Sequence, residues 1–236
     1  MKEQIMIAII GGTSFVGSDL LDTWNSKRVV TPYGSCELFM SEKAVFIARQ
    51  GLKGELPPHR INHHAHITAL QQLGAGKIIS FGSVGGLDEE YSPGKLVVPH
   101  DIFAPFKIQT FHHTKLHFTV PGLDEKLRKQ VLSALYNNEL YPIDNGTYIE
   151  ASGPRFETPA EIKWMAEVAD IVGMTCASEA ILAKELNIPH CIVAMVDNFA
   201  NGIGEVPLTG NKFKKQVVKN RETVMKALGR ILKDIR

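Results

Sequence analysis

Phe156 and Glu157 stand side by side in Gly153-Pro154-Arg155-Phe156-Glu157-Thr158. A ring that stacks and a carboxylate that accepts an N–H together suit a flat heterocycle. The next residues, Thr158-Pro159-Ala160-Glu161, have the layout of a helix start. Thr158 can cap, Pro159 fits the first helical position and Glu161 closes a capping box. The pair would then be held at a rigid helix entrance. Taken alone, the same residues read equally well as a buried Phe beside a solvated Glu.

A second set of residues suits an anion. Gly11-Gly12-Thr13-Ser14 follows an apolar run, and a glycine turn after a strand presents backbone N–H groups and two hydroxyls. It is not a Walker loop, because Gly17 is followed by Ser18-Asp19. Arg49, at the end of Ala44–Ala48, has the fork geometry to grip a phosphate bidentately. Ser83 in Gly82-Ser83-Val84-Gly85-Gly86 and Thr175 in Gly173-Met174-Thr175 add hydroxyls after further strands. His59, His63, His64 and His66 lie close together, and the first, second and fourth fit one helical face. With no acidic or Cys partner in the neighbouring sequence, they read as polar helix surface or subunit contact, with no metal site.

The elements that must position these groups alternate. Buried strands are expected at Ile5–Ile10, Ala44–Ala48, Lys77–Phe81, Leu96–Val98, Asn145–Ala151, Asp170–Val172 and Cys191–Val196. Helices are expected from Pro57 to Leu73, Asp124 to Leu140, Ile162 to Val168, Ser178 to Leu186 with Ser178 as cap, and Thr209 or Asn211 to the end. Gly82–Gly86 reads as a turn and residues 104–122 as a long loop. The class is a single-domain α/β fold over residues 1–236, with a mixed, largely parallel central sheet flanked by helices. Open sheets of this kind bind ligands beyond the carboxyl ends of their strands, where Thr13, Arg49, Ser83, Met174, Thr175 and Asn198 all fall.

Composition narrows the function. The chain has 236 residues and a formal net charge of +1, so no strong field for nucleic acid or other polyanions is implied. The N-terminal apolar run is too short for a membrane span and lacks a signal-peptide layout. The three isolated cysteines, Cys36, Cys176 and Cys191, fit a reducing cytoplasm and do not have metal-ligand spacing.

Longer motifs carry a resemblance. The Gly-Gly-Thr start, Thr31-Pro32-Tyr33-Gly34, Gly153–Thr158, Gly173-Met174-Thr175 and Glu179…Leu182-Ala183-Lys184 resemble the trimeric purine nucleoside and 5′-methylthioadenosine phosphorylases, from about residue 5 to Asn198. The resemblance implies a pentosyltransferase of purine salvage. Inorganic phosphate attacks C1′ of a purine nucleoside and the purine leaves, with no metal or cofactor. By similarity, Thr13, Arg49, Gln50, Ser83 (through its backbone) and Thr175 would hold phosphate. Met174 would lie under the ribose, and Phe156, Glu157 and Asn198 would hold the base, with Glu157 and Asn198 as the catalytic pair. Gly210 and Phe213 would close the 5′ pocket. His117 resembles a histidine that reaches a neighbouring subunit's sugar site, which implies a homotrimer or a dimer of trimers. Glu157 and Asn198 resemble the 6-oxopurine members, whereas Ser and Asp at these places mark the adenosine type. Preferred substrates would be 5′-methylthioinosine, inosine or guanosine.

The chain departs from the pattern. Gln50 replaces a His, Gly82 a Thr or Asn, and Ala177-Ser178 a Val-Pro pair, which implies either weaker phosphate binding or a different arrangement of the loops. Other readings are a 5′-methylthioadenosine phosphorylase, a non-catalytic purine-binding protein on the same fold, and an NAD(P)-dependent short-chain dehydrogenase. The last draws on Gly11–Gly17 and the spacing of Tyr91 and Lys95, although Pro93 and Gly94 between them break a helix.

Overall fold

The computed structural model describes residues 6–204 and 207–235. Ile5, where the first strand was expected to begin, and Arg236 lie outside the described residues. In chain order the strands are β1 (Met6–Gly11), β2 (Asn25–Thr31), β3 (Gly34–Met40), β4 (Ala44–Ala48) and β5 (Ala75–Gly86). They continue with β6 (Leu96–Val97), β7 (Asp101–Phe103), β8 (Thr147–Glu150), β9 (Ile171–Gly173) and β10 (His190–Phe199). The helices are α1 (His63–Gln72), α2 (Glu125–Tyr136), α3 (Pro159–Met165), α4 (Cys176–Glu185) and α5 (Gly210–Asp234).

All ten strands join one sheet in the order β2-β3-β4-β1-β5-β9-β8-β7, with β10 pairing β5 and β6 pairing β10. Pairs β1–β4, β1–β5, β5–β10, β7–β8 and β8–β9 are parallel. Pairs β2–β3, β3–β4, β6–β10 and β5–β9 are antiparallel. The mixed, largely parallel α/β expectation is met.

The uninterrupted apolar runs follow from burial on both faces. In β1, Ile7 and Ile9 pack with Val131 and Leu135 of α2 and Val224, Leu228 and Ile231 of α5. Ala8 and Ile10 face the other way, toward Ile67 and Leu70 of α1 and Leu182 and Ala183 of α4.

Three strands carry little sequence signal. β2 and β3 form a hairpin whose residues are largely exposed, closed where Thr31 Oγ1 donates to the Gly34 carbonyl at 2.7 Å and accepts from the Tyr33 N–H. β7 is three residues long. The stretch Gly82–Gly86, expected as a turn, continues β5 and pairs with β10 from Ala194 to Phe199, with a register shift at Asp197. Glycine does not end a strand when a neighbour lies this close: a Cβ at Gly86 would stand 1.8 Å from the Tyr91 carbonyl oxygen. The helix expected from Pro57 divides into a short 3-10 turn, Pro58–Arg60, and α1, because Asn62 caps α1 by accepting from the Ala65 N–H. Ser178 is not the cap of α4. That place belongs to Thr175, and the Ser178 N–H and hydroxyl donate to the buried carboxylate of Glu150.

Candidate active site

A cavity of about 200 Å³ opens where the ends of β5 and β10 meet the β9-β8-β7 wing. Its lining includes Thr13, Arg49, Gln50, Ser83, Phe156, Glu157, Met174, Thr175, Asn198 and Phe213. Ten of the residues singled out from sequence thus share one cavity. The wing differs from expectation in one respect. Because β9 runs antiparallel to β5, with Ile171 and Val172 pairing the last two residues of β5, Met174 and Thr175 arrive from the opposite direction.

The lining includes the ring and the carboxylate. The capping box of α3 is complete: Thr158 Oγ1 accepts from the Glu161 N–H, and Glu161 accepts from the Thr158 N–H at 2.7 Å. Arg155 braces it with a bidentate pair to Glu161 at 2.8 Å on each side. Held by that helix entrance, Phe156 meets Phe213 of α5 edge to face, 5.8 Å between centroids. Glu157 is 7% exposed, and its Oε1 has no hydrogen-bond partner among the described residues. Burial pushes the Glu157 carboxyl above its ordinary range. Asn198 sits at the end of β10 and donates one amide N–H to the Phe199 carbonyl, 2.8 Å away, which leaves its second N–H and its oxygen for a ligand.

The same lining includes the hydroxyls and Arg49. Thr13 Oγ1 donates to Gln50 Oε1 at 3.1 Å, so Gln50 fixes the hydroxyl of the glycine turn. The Ser83 hydroxyl donates to Asp197, whose second oxygen accepts from Asn220 of α5 at 2.8 Å. Burial raises the Asp197 carboxyl, and these two hydrogen bonds oppose it. Thr175 is placed by Tyr148, whose buried hydroxyl accepts from the N–H groups of Thr175 and Cys176. Gly173 is required there, since a Cβ would lie 2.2 Å from that hydroxyl oxygen. Gly82, at the place where the resembled family carries Thr or Asn, is explained by its neighbour: a Cβ would stand 2.8 Å from Cys176 Sγ.

Arg49 is neither an exposed loop residue nor free to fork onto a ligand. It is 2% exposed, and its bidentate face is taken by Glu179, with Nε to Oε1 at 2.7 Å and Nη2 to Oε2 at 2.8 Å. Nη2 also donates to the Ile10 carbonyl and Nη1 to the Phe81 carbonyl. Sequence reading missed Glu179 as a partner, because it lies on α4 and meets Arg49 only through the fold. Burial alone would raise the Glu179 carboxyl, but the Arg49 charge outweighs it and holds the carboxyl well below the carboxylate range.

The histidine reading needs correction. His59 is exposed in the 3-10 turn, but His63 is buried with its Nδ1 3.6 Å from Glu179, and burial lowers His66 to about 4. An acidic neighbour therefore exists. Among the described residues no group of His, Cys, Asp and Glu is placed to hold a metal.

Two expected site residues stand apart. His117 is exposed on the 104–122 loop, stacked on His112 with centroids 4.0 Å apart, and Gly210, the exposed first residue of α5, does not line the cavity. Tyr91 and Lys95 lie in consecutive turns, not on a helix, with Tyr91 buried against Gly146 and Lys95 exposed. The dehydrogenase pair is not formed.

The cavity lining thus combines hydroxyls and one guanidinium with an aromatic ring, a carboxylate and an amide. Residues 6–233 match the Phosphorylase superfamily, and the chain belongs to that family. It is 40% identical over 227 residues to a probable 6-oxopurine nucleoside phosphorylase of Archaeoglobus fulgidus, covering 94% of this chain and 89% of that protein. It is 34% identical over 250 residues to a probable S-methyl-5′-thioinosine phosphorylase of Thermodesulfovibrio yellowstonii, covering 99% and 91%. The fold is that of methylthioadenosine phosphorylase from Schistosoma mansoni in complex with adenine, with a TM-score of 0.86 at 24% identity over 97% of this chain and 91% of that one.

Proposed function

We propose that the chain catalyses phosphorolysis of 6-oxopurine nucleosides, releasing the free purine and ribose 1-phosphate or its 5-methylthio analogue. The observation that carries this reading is that Glu157 and Asn198, on separate elements, line one cavity with Thr13, Arg49 and Thr175. Homologues named as 6-oxopurine nucleoside and S-methyl-5′-thioinosine phosphorylases support it.

A phosphate oxygen forms a bond to C1′ while the C1′–N9 bond breaks, and its electron pair goes to the purine. Positioning both partners and stabilising the charge that appears on the purine are the protein's tasks. Glu157, as carboxylate, accepts from the N1–H of a 6-oxopurine. Asn198 uses its remaining N–H for O6, and its carbonyl oxygen accepts from a proton on N7. Adenine would instead present a lone pair at N1 to the carboxylate. Thr13, Gln50, Arg49, the Ser83 backbone and Thr175 hold phosphate, the co-substrate, with no further cofactor. Met174 lies under the sugar, and Phe213 walls the 5′ side.

Assembly as a homotrimer is part of the same reading. The 104–122 loop exposes Ile108 (93%), Leu116 (84%), Phe118 (85%) and Val120 (84%), an apolar display that suits burial against a second copy and would bring His117 to the neighbour's sugar. No helix among the described residues is long and apolar enough to cross a membrane. A cytoplasmic site of action fits the three buried free thiols.

The test is a panel of inosine, guanosine, 5′-methylthioinosine, adenosine and 5′-methylthioadenosine, each with and without phosphate. Phosphate-dependent release of hypoxanthine or guanine is expected. Binding without release would mark a purine-binding protein, and release without phosphate a hydrolase.

A further inference from the structure

Arg49 has five N–H bonds. Four are committed: Nε–H and one Nη2–H to Glu179, the other Nη2–H to the Ile10 carbonyl, and one Nη1–H to the Phe81 carbonyl. The fifth, on Nη1, has no acceptor among the described residues, and that nitrogen lies beside the glycine turn, 3.0 Å from where a Cβ at Gly12 would stand. Arg49 lines the cavity, so one N–H is all it has left for a ligand, and its direction is set by what holds the rest of the guanidinium.

Behind Arg49 the support continues inward. Glu179 Oε2 also accepts from the Ser80 hydroxyl at 2.6 Å, and Ser80 Oγ lies 2.8 Å from His190 Nε2. Ser80 has one hydroxyl proton, and it goes to the carboxylate. The contact with His190 must then run from Nε2–H to Ser80 Oγ, and in a neutral ring that proton leaves Nδ1 unprotonated. Two observations agree with this tautomer: Nδ1 has no partner among the described residues, and burial lowers His190 to about 4. Glu179 and Ser80 are both fully buried, and Glu179 itself does not line the cavity.

We infer that Glu179 is a positioning residue for phosphate capture: it spends the bidentate face of Arg49 on alignment, with Ser80 and His190 fixing the carboxylate, so that the last Nη1–H alone is offered to the co-substrate. The inference rests on the phosphorolysis reading and adds to it a residue that touches neither substrate. It also accounts for a short supply of charge in the cavity. With Gln50 neutral, Arg49 is the one cationic side chain in the lining, and Glu179 offsets its charge. Phosphate would be held by aimed donors more than by net charge, so misalignment is costly.

The experiment compares wild type, Glu179→Gln and Ser80→Ala for the KM of phosphate, the KM of inosine and kcat, with inosine binding measured separately by titration without phosphate. Gln keeps the size of Glu but turns an N–H toward the guanidinium. A roughly 30- to 100-fold rise in phosphate KM is expected for Glu179→Gln, the scale of a misplaced positioning group, with inosine binding within about twofold of wild type. Ser80→Ala removes one hydrogen bond to the carboxylate and should raise phosphate KM by roughly 3- to 10-fold. A merely structural role would lower the melting temperature and leave the phosphate KM of the folded enzyme unchanged, and that result would overturn the inference. So would equal losses toward phosphate and inosine. If Glu179→Gln does not fold, Ser80→Ala decides alone, and an unchanged phosphate KM rejects the proposal. Wild type that turns over inosine without phosphate would overturn the phosphorolysis reading and the inference with it.

Discussion

The side-chain amide of Asn201 donates to the backbone carbonyl of Glu157, 3.0 Å away. That bond ties the segment after β10 to the entrance of α3. It explains how Asn198 and Glu157 face one cavity although they sit on elements with different packing partners.

Under the proposed function, the purine preference is assigned to those two residues. Glu157→Ser combined with Asn198→Asp should lower the ratio of kcat/KM for inosine over adenosine by roughly 10- to 100-fold, the cost of one wrongly paired buried polar group. Competition kinetics with both nucleosides measures it directly. An unchanged ratio would remove the base assignment.

The pH behaviour of Glu157 follows from its burial, which raises its folded-state pKa above the unfolded value. The native state then holds the proton to higher pH than the unfolded chain. The associated stability is full below the unfolded pKa, about 4.3, and is lost as pH rises through the folded value. Glu157→Gln should therefore melt at higher temperature than wild type near pH 7, with the difference closing below about pH 4. Thermal melts across this range test it. In wild type, kcat/KM for inosine should fall on the acid side as the carboxylate is protonated, and in Glu157→Gln that limb should be absent.

If Phe213 walls the 5′ side as proposed, an apolar 5′ group is favoured. Phe213→Ala removes the ring and its edge-to-face contact with Phe156. We expect KM to rise roughly tenfold for 5′-methylthioinosine and less for inosine, because the lost contact is apolar. Equal effects on both substrates would place the 5′ group elsewhere.

Tyr148 carries stability at the site. Tyr148→Phe leaves the buried N–H groups of Thr175 and Cys176 without an acceptor, and each such loss costs about 1–3 kcal/mol. Urea unfolding should show a lower midpoint with an unchanged m-value. A shift below about 0.5 kcal/mol would mean that another group replaces the hydroxyl.

Assembly is tested on the 104–122 loop. Phe118→Glu places a charge on the exposed apolar display and should shift the sedimenting species from trimer toward monomer, with loss of activity at low protein concentration. A wild-type chain that sediments as a monomer would reject the role given to His117.

Much of this protein is determined by short stretches that decide for themselves. The strand runs at β1, β4, β5 and β10 are apolar without alternation because both their faces are buried, and that pattern is visible without the fold. The α3 capping box closes within four residues, so Thr158-Pro159-Ala160-Glu161 sufficed to place Phe156 and Glu157 at a helix entrance. The extension of β5 through Gly82–Gly86 was not legible, because glycine carries no side-chain signal and its state there is set by β10 and Tyr91. The hairpin β2–β3 escaped because exposed strands lack an apolar pattern.

What only tertiary structure decided is the company each polar residue keeps. Arg49 and Glu179 lie on β4's end and α4, and their buried bidentate pairing takes the face that was expected to grip a ligand. His63 and His66 changed from surface to interior because α1 packs on α4, which brings Glu179 to them. Hydrogen bonds and burial depend on distance in space, and residues far apart in the chain acquire that distance only when helices and sheet are assembled. The ring and carboxylate at Phe156 and Glu157 were visible in the sequence, but that they share a cavity with Asn198 is a property of the fold.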